Sequence, residues 1–295
     1  MTTTVRTQQT RQAEGLTLPP VDRTPLRRRR RTRALQQCAA VAISLFMGIP
    51  LYLIAVAALS SREGLSQFPL SFLPNHFSFS TVTDLFTGTA VGPSMVNSLL
   101  AGLWTVGLSL VVGAPAGYAM ARFVFRGQDA YQLVLLLVRA LPVVVLSVPL
   151  AELFLNAGMF DSVVAVALVH TGLALPTTIL ITASIFVSVP RDLEEAALLF
   201  GCGRFGAFRR VVVPMAAPGI AASSVFTFVL SWNEVLASAV LTLNHRTLPA
   251  QILTSLRQSS LPYQFAGGLV LVVPGVLFIL FMRRYLLNMW GSSAR

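Results

Sequence analysis

The chain has 295 residues, of which 55% are hydrophobic and 11% charged, more apolar material than one soluble core of this length requires, so composition predicts an integral membrane protein. A net charge of +11 would suggest nucleic acid in a soluble chain, but nine of the 22 basic residues precede residue 34, where an anionic membrane surface and the positive-inside bias account for them without a nucleic-acid partner. The two cysteines, Cys38 and Cys202, exclude a disulfide scaffold and are placed on the reducing side as ordinary thiols.

Residues 1–33 contain Thr, Gln and Pro, lack an apolar period and end in Arg27, Arg28, Arg29, Arg30, Arg31 and Arg33. They predict a disordered basic cytoplasmic tail ahead of a membrane domain over 34–295. The apolar run that follows is too long for a secretory leader and has no convincing small-residue cleavage site, so it is expected to stay as an anchor.

Six apolar segments follow, 35–59, 96–121, 131–155, 162–187, 220–243 and 265–282. Each is long enough to cross about 30 Å of hydrocarbon, which predicts an all-α integral membrane protein with six transmembrane helices. The tail arginines, Arg122, Arg126, Arg191, Arg204, Arg209, Arg210, Arg283, Arg284 and Arg295 alternate onto one side, and only Arg62, Arg246 and Arg257 fall opposite. The positive-inside bias then places both termini in the cytoplasm of a bacterial plasma membrane. Residues 60–93, with Pro69, Pro74 and a Phe77-Ser78-Phe79 run, read as an exterior loop. Prolines recur in the spans at Pro50, Pro115, Pro142, Pro149, Pro176 and Pro274, where freed carbonyls need neighbours or a hydrated cavity. Broken helices of that kind fit a transport path, although any one proline is ordinary in a membrane helix.

Between the fourth and fifth spans, residues 190–214 are polar. Pro190 suits a first helical turn, and Asp192, Glu194 and Glu195 follow where the helix dipole favours negative charge. Leu193, Ala196, Ala197 and Phe200 fall at i, i+3, i+4 and i+7, giving one apolar stripe, and Gly201 and Gly203 stop the helix. At about 1.5 Å per residue this helix reaches roughly 16 Å, too short for a bilayer, and so lies outside it.

Glu195-Ala196-Ala197, three residues, Gly201, nine residues, Val211, one residue, then Val213-Pro214 resembles the EAA loop of the permease subunits of binding-protein-dependent ABC importers. Val189-Pro190 and Asp192 ahead of it match as well, whereas Phe200 stands where that family often has an acidic residue, a departure that bears on partner specificity. The resemblance continues through Asn97-Ser98, Tyr118-Ala119-Met120-Ala121-Arg122 and Phe125-Arg126-Gly127. Ser231-Trp232-Asn233-Glu234 and Thr247-Leu248-Pro249 are similar to the carbohydrate branch, and more narrowly to the six-span permease of maltose-type systems; the glycine-rich tail common there is missing from 289–295.

The resemblance implies a non-catalytic translocation subunit, embedded among membrane lipids, that works with a second permease, two cytoplasmic ATP-binding subunits and an extracytoplasmic solute-binding protein near the exterior loop. Its cargo would be a sugar or related polar solute. Leu193, Glu194, Glu195, Ala196, Ala197, Phe200, Gly201 and Pro214 would couple it to the ATPase. The chain contains no lysine, so a GxxxxGK[ST] phosphate loop cannot exist in it, and ATP and Mg would be bound by the partner subunits, with no cofactor here. His76, His170 and His245 are scattered without HExxH or a carboxylate at ligand spacing, which leaves metal and hydrolase readings without support.

Asn97, Trp232, Asn233 and Glu234 are candidates for the substrate pathway. For Asn233 and Glu234 two readings stand open, hydrogen bonds to sugar hydroxyls or pairing with another helix; for Trp232, stacking on a sugar or packing. Arg139 is expected to form an ion pair with Glu152 or Glu234, and His170 to be a packed, hydrogen-bonded residue. Two rival functions are kept: a same-superfamily permease for a non-sugar solute, and a membrane transferase using Glu234 as base, which needs an acid or metal-ligand cluster that the sequence does not display.

Overall fold

The computed structural model describes residues 24–60, 77–257 and 259–291. Among these the chain is helical, with one isolated bridge between Ser60 and Phe77 in place of any strand. It divides into two units, Met1–Tyr52 and Leu53–Arg295. Helix α1, Thr24–Ala58, runs through the first unit, and its Arg33–Ala58 part is long and apolar enough to span a bilayer. It begins inside the stretch expected to be a tail, so the arginine run stands on a helix; residues 1–23 lie outside the described residues.

The second unit is built on α3 (Val91–Arg122) against α6 (Val163–Ser188). Gly113 and Gly117 let the two backbones approach: a Cβ at Gly117 would overlap the Thr182 hydroxyl and lie 2.8 Å from the Ala183 nitrogen. The Thr182 hydroxyl donates to the Gly113 carbonyl at 3.2 Å across this contact. Between α1 and α3 in the chain lies α2 (Ser80–Gly88), whose Leu85 is fully buried beside Phe228, Trp232 and Leu248. The stretch expected to be an exterior loop therefore contributes a core helix, while 61–76 lie outside the described residues.

Two spans differ from expectation. The third is broken into α4 (Gln128–Ala140) and α5 (Val143–Asn156), inclined at 89°. Pro142 lacks an N–H and disfavours helix at the residue before it, and Leu141 is accordingly extended, with φ −70° and ψ 124°. The fifth span starts early and ends early. After α7 (Arg191–Leu199), α8 (Arg204–Ala207) runs through a π-helical turn (Phe208–Val212) into α9 (Val213–Asn233). At Glu234 the backbone turns extended, and a separate short α10 (Leu236–Leu241) follows. Helices α11 (Leu248–Ser255) and α12 (Leu261–Gly291) complete the unit, with α9 packed against α3, α6 and α12. Among the described residues five helices are long and apolar enough to cross a membrane, or six if the bent α4–α5 pair is one span.

Candidate functional site

The segment that resembles the EAA loop is built from three local devices. Pro190 stands extended ahead of α7, with Asp192 and Glu194 in the first turn, where they complement the helix dipole. At the other end Gly201 adopts φ +84°, and the N–H groups of Gly201 and Cys202 donate to the carbonyls of Leu198 and Ala197, both at 3.0 Å. This is a Schellman stop, which favours glycine because a side chain at that φ is strained. The π turn follows: Val213 donates five residues back to Phe208. Pro214 supplies the reason, because its ring would strike the carbonyl of Arg210 in a regular helix, and the wider turn relieves that clash.

Helix α7 has no buried residue. Leu199 and Phe200 are 89% and 90% exposed, Leu193 and Glu195 are exposed too, and Ala196 and Ala197 are half-buried. The single stripe expected from the spacing is thus divided. Phe200 is the residue just past the helix and projects with Leu199, a neighbour that periodicity did not select, while the two alanines are partly covered; as an element, α7 touches the π turn and α8.

The two adjacent glutamates have opposite environments. Glu195 is exposed. Glu194 turns inward: its Oε2 lies 2.9 Å from Arg122 Nε, with the two side chains 14% and 6% exposed, and its Oε1 accepts a hydrogen bond from the Tyr118 hydroxyl. Arg122 also donates through Nη2 to the Val189 carbonyl at 2.9 Å, and Arg191 donates to the Ala121 carbonyl at 3.3 Å. These groups border a cleft of about 190 Å³ that Arg204 and Glu195 also line. The sequence offered Tyr118 and Arg122 only as parts of a motif; nothing in their spacing shows that they meet Glu194.

The four candidate pathway residues are occupied differently from one another. Asn97 donates to the Arg246 carbonyl at 3.2 Å, and adjacent Ser98 accepts the Leu248 N–H at 2.7 Å, so the pair fastens the start of α11 to α3. Trp232 is 4% exposed, stacks on Phe228 and donates to the Leu271 carbonyl at 3.2 Å, a packed arrangement. Asn233 is exposed, with its amide donating at 2.8 Å to Val229 of its own helix. Trp232 and Asn233 share an apolar cleft of about 220 Å³ with Phe228, Leu271 and Gly275.

Glu234 pairs with another helix. Its carboxylate accepts the N–H groups of Leu236 and Ala237, both at 2.9 Å, and faces Nε2 of fully buried His170 at 3.0 Å. The other nitrogen of His170 is 2.8 Å from the Ser231 hydroxyl, which is 3.4 Å from that of Thr105. The carboxylate therefore caps α10 at the break in the fifth span. The ion pair expected from Arg139 to Glu152 or Glu234 is not formed, and both Arg139 and Glu152 are exposed.

Asp161, in the α5–α6 connection, was not singled out by sequence. It adopts φ +59° and accepts the consecutive N–H groups of Leu243, Asn244 and His245 at 2.8, 2.9 and 3.0 Å. Burial works to raise its carboxyl, but these donors and the Asn244 side chain outweigh that and hold it well below the usual carboxylate range. Among the described residues no group of three His, Cys, Asp or Glu side chains is disposed to hold a metal.

Residues 113–288 match the family described as binding-protein-dependent transport system inner membrane component. Among curated relatives, the trehalose transport system permease protein SugB of Mycobacterium tuberculosis is 30% identical over 228 residues, 75% of this chain and 83% of that protein. The diacetylchitobiose uptake system permease protein NgcG of Streptomyces coelicolor is 31% identical over 212 residues, 72% of this chain and 70% of that protein. The arabinooligosaccharides transport system permease protein AraQ of Bacillus subtilis is 26% identical over 258 residues, covering 83% and 89% of the two chains. These relatives are transport permeases, not enzymes. A chain of a bacterial ABC transporter involved in the import of the acidic polysaccharide alginate shares the fold, with TM-score 0.64 and 19% identity over 90% of this chain and 98% of that one.

Proposed function

The chain belongs to the binding-protein-dependent transport system inner membrane components, and from that premise we propose that it is the translocation subunit of an ATP-driven importer for a carbohydrate or related polar solute. The observation that carries this reading is α7 with its glycine stop: a short helix outside the spans, with Leu199, Phe200 and Glu195 presented outward and no apolar burial of its own. That knob docks in a groove of a cytoplasmic ATPase subunit. With the bent α4–α5 pair counted as one span, both chain termini lie on the same side of the membrane as α7, a placement that the arginine distribution supports. A second permease, a second ATPase subunit and an extracytoplasmic binding protein complete the assembly. Closure of the ATPases on ATP and Mg moves the attached helices between inward and outward openings, driven by the difference in binding to the two states. The carbohydrate assignment follows the relatives, whose names speak of trehalose, diacetylchitobiose and arabinooligosaccharides.

Glu195→Lys and Phe200→Asp test the docking. Both residues are exposed, so each variant is expected to insert and fold while uptake in cells and co-purification of the ATPase fall at least tenfold. Wild-type uptake by both variants would overturn the reading. The ligand carried by the co-purified binding protein names the solute, and a non-sugar ligand would replace the carbohydrate assignment while leaving the transport role.

A further inference from the structure

Helix α7 is nine residues long and buries no residue of its own, yet it has one definite orientation on the body of the protein. A helix this short is marginal alone in water, and without an apolar face turned inward the hydrophobic effect does not orient it. Its sequence-adjacent ends fix where it begins and stops, and of its apolar residues only Ala196 and Ala197 are as much as half-buried. What remains is polar. Glu194 reaches into the body and meets Arg122 at 2.9 Å and the Tyr118 hydroxyl, both on the last turns of α3. Arg122 in turn holds the Val189 carbonyl, just past the end of α6, at 2.9 Å.

The anchor is itself rigid. The Tyr118 ring is packed among Phe123, Phe186 and Phe208, with centroids 6.1, 5.7 and 4.6 Å away, so its hydroxyl has little freedom. Those rings come from the α3 end, α6 and the π turn, and the α3–α6 pair behind them is locked at Gly113 and Gly117.

We infer that Glu194, Arg122 and Tyr118 form a strut that makes the coupling helix move as one body with α3 and α6. This rests on the proposed docking of α7, and it separates the roles of the two glutamates: Glu195 faces the partner, and Glu194 is a positioning residue that passes the partner's motion to the α3–α6 pair. The chain connections of α7 lead into α6 on one side and α9 on the other; the strut adds a direct link to α3, to which α7 is not adjacent in sequence.

Glu194→Gln and Tyr118→Phe test this in the complete transporter, reconstituted into liposomes with its partner permease, ATPase subunits and binding protein. The readout is solute moved per ATP hydrolysed. Glu194→Gln removes the ion pair and keeps an acceptor for Tyr118, whereas Tyr118→Phe removes one hydroxyl and leaves the aromatic cluster. The strut predicts that both variants assemble with the ATPase subunits, while solute moved per ATP falls at least tenfold in Glu194→Gln and several-fold in Tyr118→Phe. Glu194→Asp, which keeps the charge, restores part of the ratio. An unchanged ratio in assembled Glu194→Gln and Tyr118→Phe overturns the strut. If Glu194→Gln does not fold, Tyr118→Phe alone decides. Should the ATPase fail to bind the wild-type chain, the docking reading has failed instead.

Discussion

Gly117 gives the most direct test of the packing that underlies the whole second unit. An added Cβ there would overlap the Thr182 hydroxyl and stand 2.8 Å from the Ala183 nitrogen and 2.9 Å from the Ile179 carbonyl oxygen. A rotamer change moves the threonine, but two of the three obstacles are backbone, so Gly117→Ala forces α3 and α6 apart by roughly half an ångström. Overpacking of this kind costs about 1–3 kcal/mol. The gain in helix propensity from Gly to Ala offsets at most about 1 kcal/mol of it. Gly107→Ala and Gly172→Ala are the controls, since they lie on the same two helices with nothing within 4 Å of an added Cβ. They are expected to hold or raise the melting temperature of the detergent-solubilised protein, while Gly117→Ala lowers it by several degrees, on a scale of about 2–4 °C per kcal/mol. A Gly117→Ala protein that melts with the controls would refute the close approach of α3 and α6.

Gly201→Ala places a side chain at φ +84°, a strain of about 1 kcal/mol that loosens the Schellman stop, whereas Gly203→Ala at φ −69° is neutral; uptake measured on both should fall only in the first. Trp232→Phe loses the hydrogen bond to the Leu271 carbonyl and should destabilise by about 1 kcal/mol with the apparent affinity for solute unchanged; a large affinity loss would return Trp232 to the pathway. The Asp161 carboxyl is depressed on folding, so its stabilisation is present above the ordinary carboxylate value of about 4 and is lost as pH falls below it. The melting difference between wild type and Asp161→Asn should therefore be flat from pH 7 to about 5 and shrink below about 4, and a difference that grows on acidification would reverse the assignment.

Much of the chain was legible one-dimensionally. Apolar run length located the long helices because hydrocarbon must be crossed with every backbone group paired, and the spacing from Glu195 through Gly201 to Pro214 located the short helix α7 and its stop because a helix start, a left-handed glycine and a proline each leave a residue-specific mark. The 89° break at Pro142 was within reach for the same reason, but a proline does not state whether it bends a helix or ends it, and Pro115, Pro176 and Pro274 lie inside continuous helices. The break at Glu234 has no proline; the count of apolar residues ran straight through it to 243. Its cause is a carboxylate that takes the N–H groups of the next helix while a histidine from α6 holds it, an arrangement that depends on residues 64 positions apart.

The sequence by itself determined that this is a helical membrane protein and that a short polar helix with a glycine stop interrupts the apolar runs at 190–214, because both follow from local composition and from residues whose backbone preferences act within a few positions. Only the tertiary structure decided that Glu194 turns in and Glu195 out, that Asn97 and Trp232 are tied to neighbouring backbone, and that Glu234 answers His170 and not Arg139. Periodicity reports which residues share a helix face, but a charged side chain's partner is set by what packing brings within about 3 Å of it, and that distance is a property of the assembled helices.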